Sequence, residues 1–381
     1  MNKFAPPKRL QGIEKSVIRQ VFDRAHAGSI NLGLGEPDLP TPDVIRRAAV
    51  KAIVEEQNGY TSHAGLPSLR EKVAAEYPYL EQRPERVIIT AGSQEALYLA
   101  LLALVDEGDE VLLPNPGFVA YPTIVRMAGG TASFYRLPRE RGFEFDIDDF
   151  RRALTPRTKV VACISPSNPT GRVLSQRDLA SIADALKDHG AYLISDEIYR
   201  DLYYTAERPG SLSSFYERTI AIGGLSKSMS MTGWRLGWLC GDEAVVRAAL
   251  VLHGYVTTCA SAVSQKASLA AWSDEAEQAR VGFRETFRAR RDHLLGLIQS
   301  ELGLRAVTPE GAFYTMLDVS EYGPSMQVAE ALLEERVITV PGAAFGNESE
   351  GFLRVSFCAD HDTLTEGVKR IKKCLSHRQH G

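Results

Sequence analysis

Five short stretches carry side chains that could do chemistry, each directly after a run of β-branched and apolar residues. Ala91-Gly92-Ser93-Gln94 follows Arg86–Thr90 and opens a helical pattern, where backbone N–H groups and the helix dipole favour a phosphate. Pro114-Asn115-Pro116-Gly117-Phe118 follows Glu110–Leu113 and ends on an aromatic. Pro166-Ser167-Asn168-Pro169-Thr170-Gly171 follows Lys159–Ser165, and Asp196-Glu197-Ile198-Tyr199 follows Ala191–Ser195. Thr219–Ile222 leads into Gly223-Gly224-Leu225-Ser226-Lys227-Ser228, a lysine flanked by hydroxyls. A lysine that burial has neutralised can attack a carbonyl. Arg354 lies inside the apolar run Phe352–Phe357, and a buried arginine needs an anionic partner. Taken singly, each has an ordinary explanation. Lys227 could be a solvated loop residue, Asp196 a helix cap, Tyr199 core, Phe118 packing, and Gly92-Ser93 any turn before a helix. Their recurrence at successive strand ends predicts one pocket, because ligands of open α/β sheets bind at the carboxyl ends of the strands.

The elements that would position them alternate between short strands and longer amphipathic stretches such as Gln94–Leu104 and Gln176–His189, with a further strand at Leu236–Cys240. Several strands are apolar almost throughout, as in a parallel sheet buried on both faces. This predicts an α/β fold whose large domain, residues 45–280, is a mostly parallel sheet sandwiched by helices. A charged helical pattern, Ala279–Leu302, leads on to Phe313–Val319, a helix over Met326–Arg336, strands Val337–Val340 and Phe352–Phe357, and a last helix ending near Lys373. That reads as a smaller α+β domain over 281–381. Residues 1–44 are Pro-rich and read as an arm joining the small domain.

The 381 residues are 44% hydrophobic and 24% charged, enough for a large core and unlike a disordered chain. A net charge of −4 lacks the basic excess of a nucleic-acid binder. The longest apolar run, Ala96–Val105, is about half a membrane span, and the first residues lack a signal-peptide core. Cys163, Cys240, Cys259, Cys358 and Cys374 are odd in number and scattered, which fits a reducing cytoplasm better than a disulfide framework. His377 and His380 are the nearest approach to metal-ligand spacing, and no metal site is expected.

Asn168-Pro-Thr-Gly, Asp196-x-x-Tyr199, and Ser226-Lys227-Ser228 followed by Met231-Thr-Gly-Trp-Arg235-Leu-Gly-Trp resemble the pyridoxal-phosphate (PLP) aminotransferases of fold type I, class I/II. The same pattern shows in Asn31-Leu-Gly-Leu-Gly35-Glu-Pro-Asp, Tyr60 with Gly65 and Leu69-Arg70, Pro341-Gly-x-x-Phe345-Gly, and Phe352-Leu-Arg354. The likeness runs from about residue 30 to 360; no single motif decides it, but seven in order are specific. The resemblance implies that Lys227 forms the Schiff-base link to PLP and shuttles a proton. Asp196 would pair with the ring nitrogen, Tyr199 and Asn168 would flank the phenolic oxygen, and Phe118 would stack on the ring. Gly92, Ser93, Gln94, Ser226 and Arg235 would hold the phosphate, joined by Tyr60 from a neighbouring protomer of a homodimer. Arg354 and Asn168 would bind the substrate carboxylate, with Gly35 close by.

The sequence also departs from the pattern. Gly224 stands where many relatives have Ser or Thr three residues before the lysine, and Thr258-Cys259-Ala260 stands where Ser-Asn-Pro is frequent. Gly254 occupies the place of a second, dicarboxylate-binding arginine in one subgroup, which argues against that route to aspartate specificity; Cys259 could line the pocket. The expected activity is transfer of an amino group from an L-amino acid to a 2-oxo acid by a ping-pong mechanism. A carbon–sulfur β-lyase or cyclising synthase would use the same cofactor residues. A PLP-sensing regulator would need a DNA-binding extension for which the pattern leaves no room.

Overall fold

The structure, a computed structural model, describes Pro7 and residues 10–379; His380, and with it the His377/His380 pair, lies outside the described residues. Within them the strands are β1 Ile30–Asn31, β2 Val87–Thr90, β3 Glu110–Asn115, β4 Thr131–Arg136, β5 Thr158–Ile164, β6 Tyr192–Asp196, β7 Thr219–Gly224, β8 Gly237–Cys240, β9 Tyr314–Asp318, β10 Val337–Ile338, β11 Val340–Pro341 and β12 Phe352–Ser356. Seven form one sheet in the order β2-β8-β7-β6-β5-β3-β4. Strands β3 to β7 are parallel, and β8 runs antiparallel to both β7 and β2. The carboxyl ends of β2, β3, β5, β6 and β7 therefore share one edge with the start of β8.

Strands β5 to β7 are buried on both faces, and their successive residues serve opposite helical layers. Val160, Ile194 and Ile220 pack with Leu97 and Leu101 of the helix Ser93–Leu104, whereas Val161 and Leu193 pack with Leu179, Ile182 and Leu186. Those leucines line one face of the helix Gln176–His189, which starts at a Ser175/Asp178 capping box and stops at Gly190, whose φ of 81° suits glycine.

The smaller sheet, β11-β12-β9, is antiparallel. Phe287, Leu332 and Val368, from helices Asp274–Leu297, Ser325–Glu334 and His361–Gln379, share a core with Leu353 and Val355 of β12. The N-terminal segment is stitched to this core. β1 pairs in parallel with β10, the Leu32 N–H donates to the Ile338 carbonyl at 2.9 Å, and the Ser356 N–H donates to the Leu32 carbonyl at 2.7 Å. Gly33 and Gly35 follow directly.

Several elements differ from expectation. β4 escaped notice because it is an edge strand with one buried position, Tyr135, and lacks the continuous apolar run of its neighbours. Val337–Val340 is two strands, because the chain passes at Thr339 from pairing with β1 to pairing with β12. The long helix begins at Asp274, capped by Ser273 with three acids in its first turn, and ends in a π-helical turn over Ile298–Leu302. The N-terminal segment holds a short helix, Val17–Asp23, capped by Ser16. Among the described residues no helix is long and apolar enough to cross a membrane, and no cluster of three metal-ligating side chains occurs.

Candidate active site

A cavity of about 240 Å³ opens at the shared sheet edge, lined by Ser93, Gln94, Phe118, Asn168, Asp196, Tyr199, Ser226, Lys227 and Arg235. Gly35, from the segment after β1, and Arg354, from β12, line it from the other side. Eleven residues proposed from sequence thus meet at one place. A larger cavity, about 640 Å³, lies on the other side of the Asn168 loop and contains none of them.

β2 ends in Gly92, the N-cap of the helix Ser93–Leu104, with a φ of 90° and no side-chain capping bond. The first-turn N–H groups are therefore available to an outside acceptor. Gly92 itself does not line the cavity; a Cβ there would lie 2.6 Å from Arg235 Nη2, so glycine lets the guanidinium approach the turn. Arg235 Nη1 donates to the Thr232 carbonyl at 3.0 Å. At Gly237, where β8 begins, a Cβ would come within 2.5 Å of the Ser93 nitrogen.

β6 presents Asp196, which is 6% exposed. Its Oδ2 accepts from the Tyr121 hydroxyl at 3.0 Å and its Oδ1 from the Ile198 N–H at 3.2 Å. Burial pushes the carboxyl up to about 6 despite those two donors. One turn on, the Tyr199 hydroxyl lies 2.9 Å from that of Tyr314. Burial raises both phenols, Tyr314 to about 12. β7 leads to Lys227, whose Nζ donates to the Gly35 carbonyl at 2.6 Å. Burial brings its amine down to about 8, with Arg354 and Arg235 pushing the same way and Glu36 opposing. At Gly35 a Cβ would sit 1.9 Å from the Tyr314 hydroxyl, so only glycine leaves the backbone this close.

Arg354, in β12, is 2% exposed. Nη1 donates to Asn168 Oδ1 at 2.8 Å and Nη2 to the Gly33 carbonyl at 2.5 Å, while the Tyr314 and Phe345 rings lie 4.2 and 4.9 Å from its central carbon. Its Nε has no partner. A buried cation with no paired carboxylate and a spare donor is prepared for an anion from outside.

Besides Gly92, three further residues singled out from sequence do not line the cavity. Tyr60 is 89% exposed and lies outside the cavity of its own chain. Cys259 and Gly254 do not line it either, and a Cβ at Gly254 would face His63 instead. The glycine at 224 has a local reason, since a Cβ there would lie 3.1 Å from both Ile198 Cδ1 and the Leu236 carbonyl. Sequence reasoning missed Tyr121, Tyr314, Ile18 and Thr232. Tyr121 could have been suspected from its place three residues after Phe118, whereas nothing local marks Ile18.

The donor set fits a phosphorylated aromatic aldehyde. It combines an uncapped helix turn beside an arginine, a lysine of lowered basicity, a buried carboxylate and a carboxylate-seeking arginine around one cavity. The sequence model of aminotransferase class I and II matches residues 27–371. The chain is 39% identical over 355 residues to the aspartate/prephenate aminotransferase of Thermus thermophilus, covering 91% of each. It is 34% identical over 382 residues to aromatic-amino-acid aminotransferase 2 of Thermococcus litoralis, covering 97% of this chain and 98% of that one. Among solved structures it matches Thermus thermophilus aspartate aminotransferase with maleate at a TM-score of 0.90 and 34% identity, over 98% of this chain and 100% of that one. The Thermotoga maritima aspartate aminotransferase matches at 0.89 and 33%, over 97% and 100%. The chain belongs to the class I and II aminotransferases. It is a PLP-dependent enzyme of fold type I that catalyses transamination.

Proposed function

We propose that the chain moves an amino group from an L-amino acid to a 2-oxo acid in two half-reactions, with Lys227 as the amine that holds PLP. The observation that carries this reading is the opening of Lys227, Asp196 and Arg354 onto one cavity. When bound, PLP supplies a carbonyl that captures the substrate amino group and a ring that takes up the electron pair left at Cα. Asp196, an anion at neutral pH, would pair with the ring nitrogen and keep its proton in place, with Tyr121 fixing the carboxylate. The first-turn N–H groups at Ser93 and Gln94, with Ser226 and Arg235, would hold the phosphate. Phe118 would wall the ring, and Tyr199 and Asn168 would donate to its phenolic oxygen. Arg354 fixes the substrate carboxylate beside Asn168, and the lowered basicity of Lys227 lets Nζ take the proton from Cα.

Tyr60 completes the phosphate site of a second copy. In support, Tyr60 is exposed, as are the large apolar side chains Ile53 and Val54 of the preceding helix and Tyr255 and Val256. Helix Glu243–Val256 and the 56–63 segment adjoin, as the approach of His63 to Gly254 shows. Residues 45–280 form the cofactor-binding domain and 281–381 the smaller one, with 1–44 joined to the latter; the pairing of β1 with β10 supports that division. Five unpaired cysteines favour a reducing cytoplasm.

The test is a single-turnover reaction. PLP-loaded protein mixed with an L-amino acid and no acceptor is expected to release one 2-oxo acid per site and then stop. Continued release of ammonia and keto acid would mean elimination and would refute the reading.

A further inference from the structure

The helix Ser93–Leu104 begins on a variant of the capping box, its returning bond made one residue before the N-cap Gly92. Glu95, at its third position, turns back so that Oε2 accepts the Ala91 N–H at 2.5 Å, while Gly92 supplies no side-chain acceptor in return. This fixes the turn and leaves the first-turn donors open. It also stations a carboxylate beside them, and an unneutralised charge there repels the phosphate the turn would hold. The other oxygen, Oε1, is taken up from behind. His253 Nδ1 lies 3.1 Å away and the Thr257 hydroxyl also donates to it. A carboxylate only accepts, so Nδ1 carries the hydrogen. The His253 side chain is 0% exposed and that of Glu95 8%, and His253 Nε2 has no partner. Among the described residues the buried ring thus has Glu95 as its one hydrogen-bond partner. Burial alone would raise the Glu95 carboxyl, but its hydrogen bonds from His253, Thr257 and Ala91 outweigh that and hold it below the ordinary range.

We propose that His253, acting through Glu95, is a positioning residue for the PLP phosphate. It fixes the Ala91-Gly92 turn and draws the Glu95 charge towards the helix Glu243–Val256, away from the phosphate. The inference rests on the PLP reading of the site. It is tested by titrating full-length apoprotein with PLP and, separately, with pyridoxal, which lacks the phosphate. His253→Leu is expected to weaken PLP about tenfold or more, as loss of a bond to a charged group does, and to leave pyridoxal within about twofold. His253→Asn, which can place an N–H near Nδ1, is expected to restore most of the affinity. Should His253→Leu fail to fold, Thr257→Val removes the other donor to the same oxygen and is expected to show the same selective loss. Equal weakening of PLP and pyridoxal, or no change in either, would overturn the proposal. A wild-type protein without preference for PLP over pyridoxal would instead sink the phosphate site itself.

Discussion

Titrating the apoprotein across the range where Lys227 ionises changes how fast it captures PLP, because only the neutral amine attacks a carbonyl. An ordinary lysine near 10.5 is neutral in roughly 0.03% of molecules at pH 7. At about 8, where burial places Lys227, the neutral fraction at pH 7 is roughly a tenth, a gain of about 300-fold. The capture rate, followed by stopped-flow absorbance, is expected to rise about tenfold per pH unit and level off near pH 8. Two substitutions give opposite signs. Arg354→Met removes a cation that lowers the amine and moves the midpoint up; Glu36→Gln removes an anion that raises it and moves the midpoint down. A rate that climbs without levelling to about pH 10, or a midpoint indifferent to both changes, would refute the reasoning.

Asp196→Asn removes a buried carboxyl raised from 3.8 to about 6. The folded state then holds the proton more tightly than the unfolded one, so the penalty grows from about pH 4 to 6 and is complete above. The apoprotein variant is expected to be more stable above pH 6 by up to roughly 3 kcal/mol, seen in denaturant melts, yet without turnover; unchanged stability would contradict the burial argument. Arg354→Lys keeps the charge but loses the fork, so kcat/KM for an L-amino acid should fall roughly 10- to 150-fold with PLP affinity intact. An unchanged KM would place the carboxylate elsewhere. Co-expressing Tyr60→Ala with Lys227→Ala should restore about a quarter of the wild-type sites, because half of the dimers carry one intact pocket. No recovery would mean that each chain builds its site alone.

The pocket was legible because its residues stand at strand ends, where short apolar runs give way to Asn168, Asp196 and Lys227, and because Arg354 is out of place in an apolar strand. What stayed hidden depends on distant packing. Tyr121 is joined to Asp196 across 75 positions and Tyr314 to Tyr199 across 115, and neither pairing leaves a local pattern. The Glu95–His253 contact spans 158. β4 was hidden for another reason: an edge strand with one buried position needs no continuous apolar run. Gly35 was legible as a glycine in a motif, but the cause of its smallness, the Tyr314 hydroxyl pressed against it, belongs to the fold.

The central claim is that Lys227 carries the cofactor. Reducing PLP-loaded protein with borohydride and mapping the labelled peptide by mass spectrometry tests it directly. The account predicts one stable label, on the segment Gly223–Met231 at Lys227, and none in Lys227→Ala. A label on another lysine, or undiminished labelling of the variant, would contradict it.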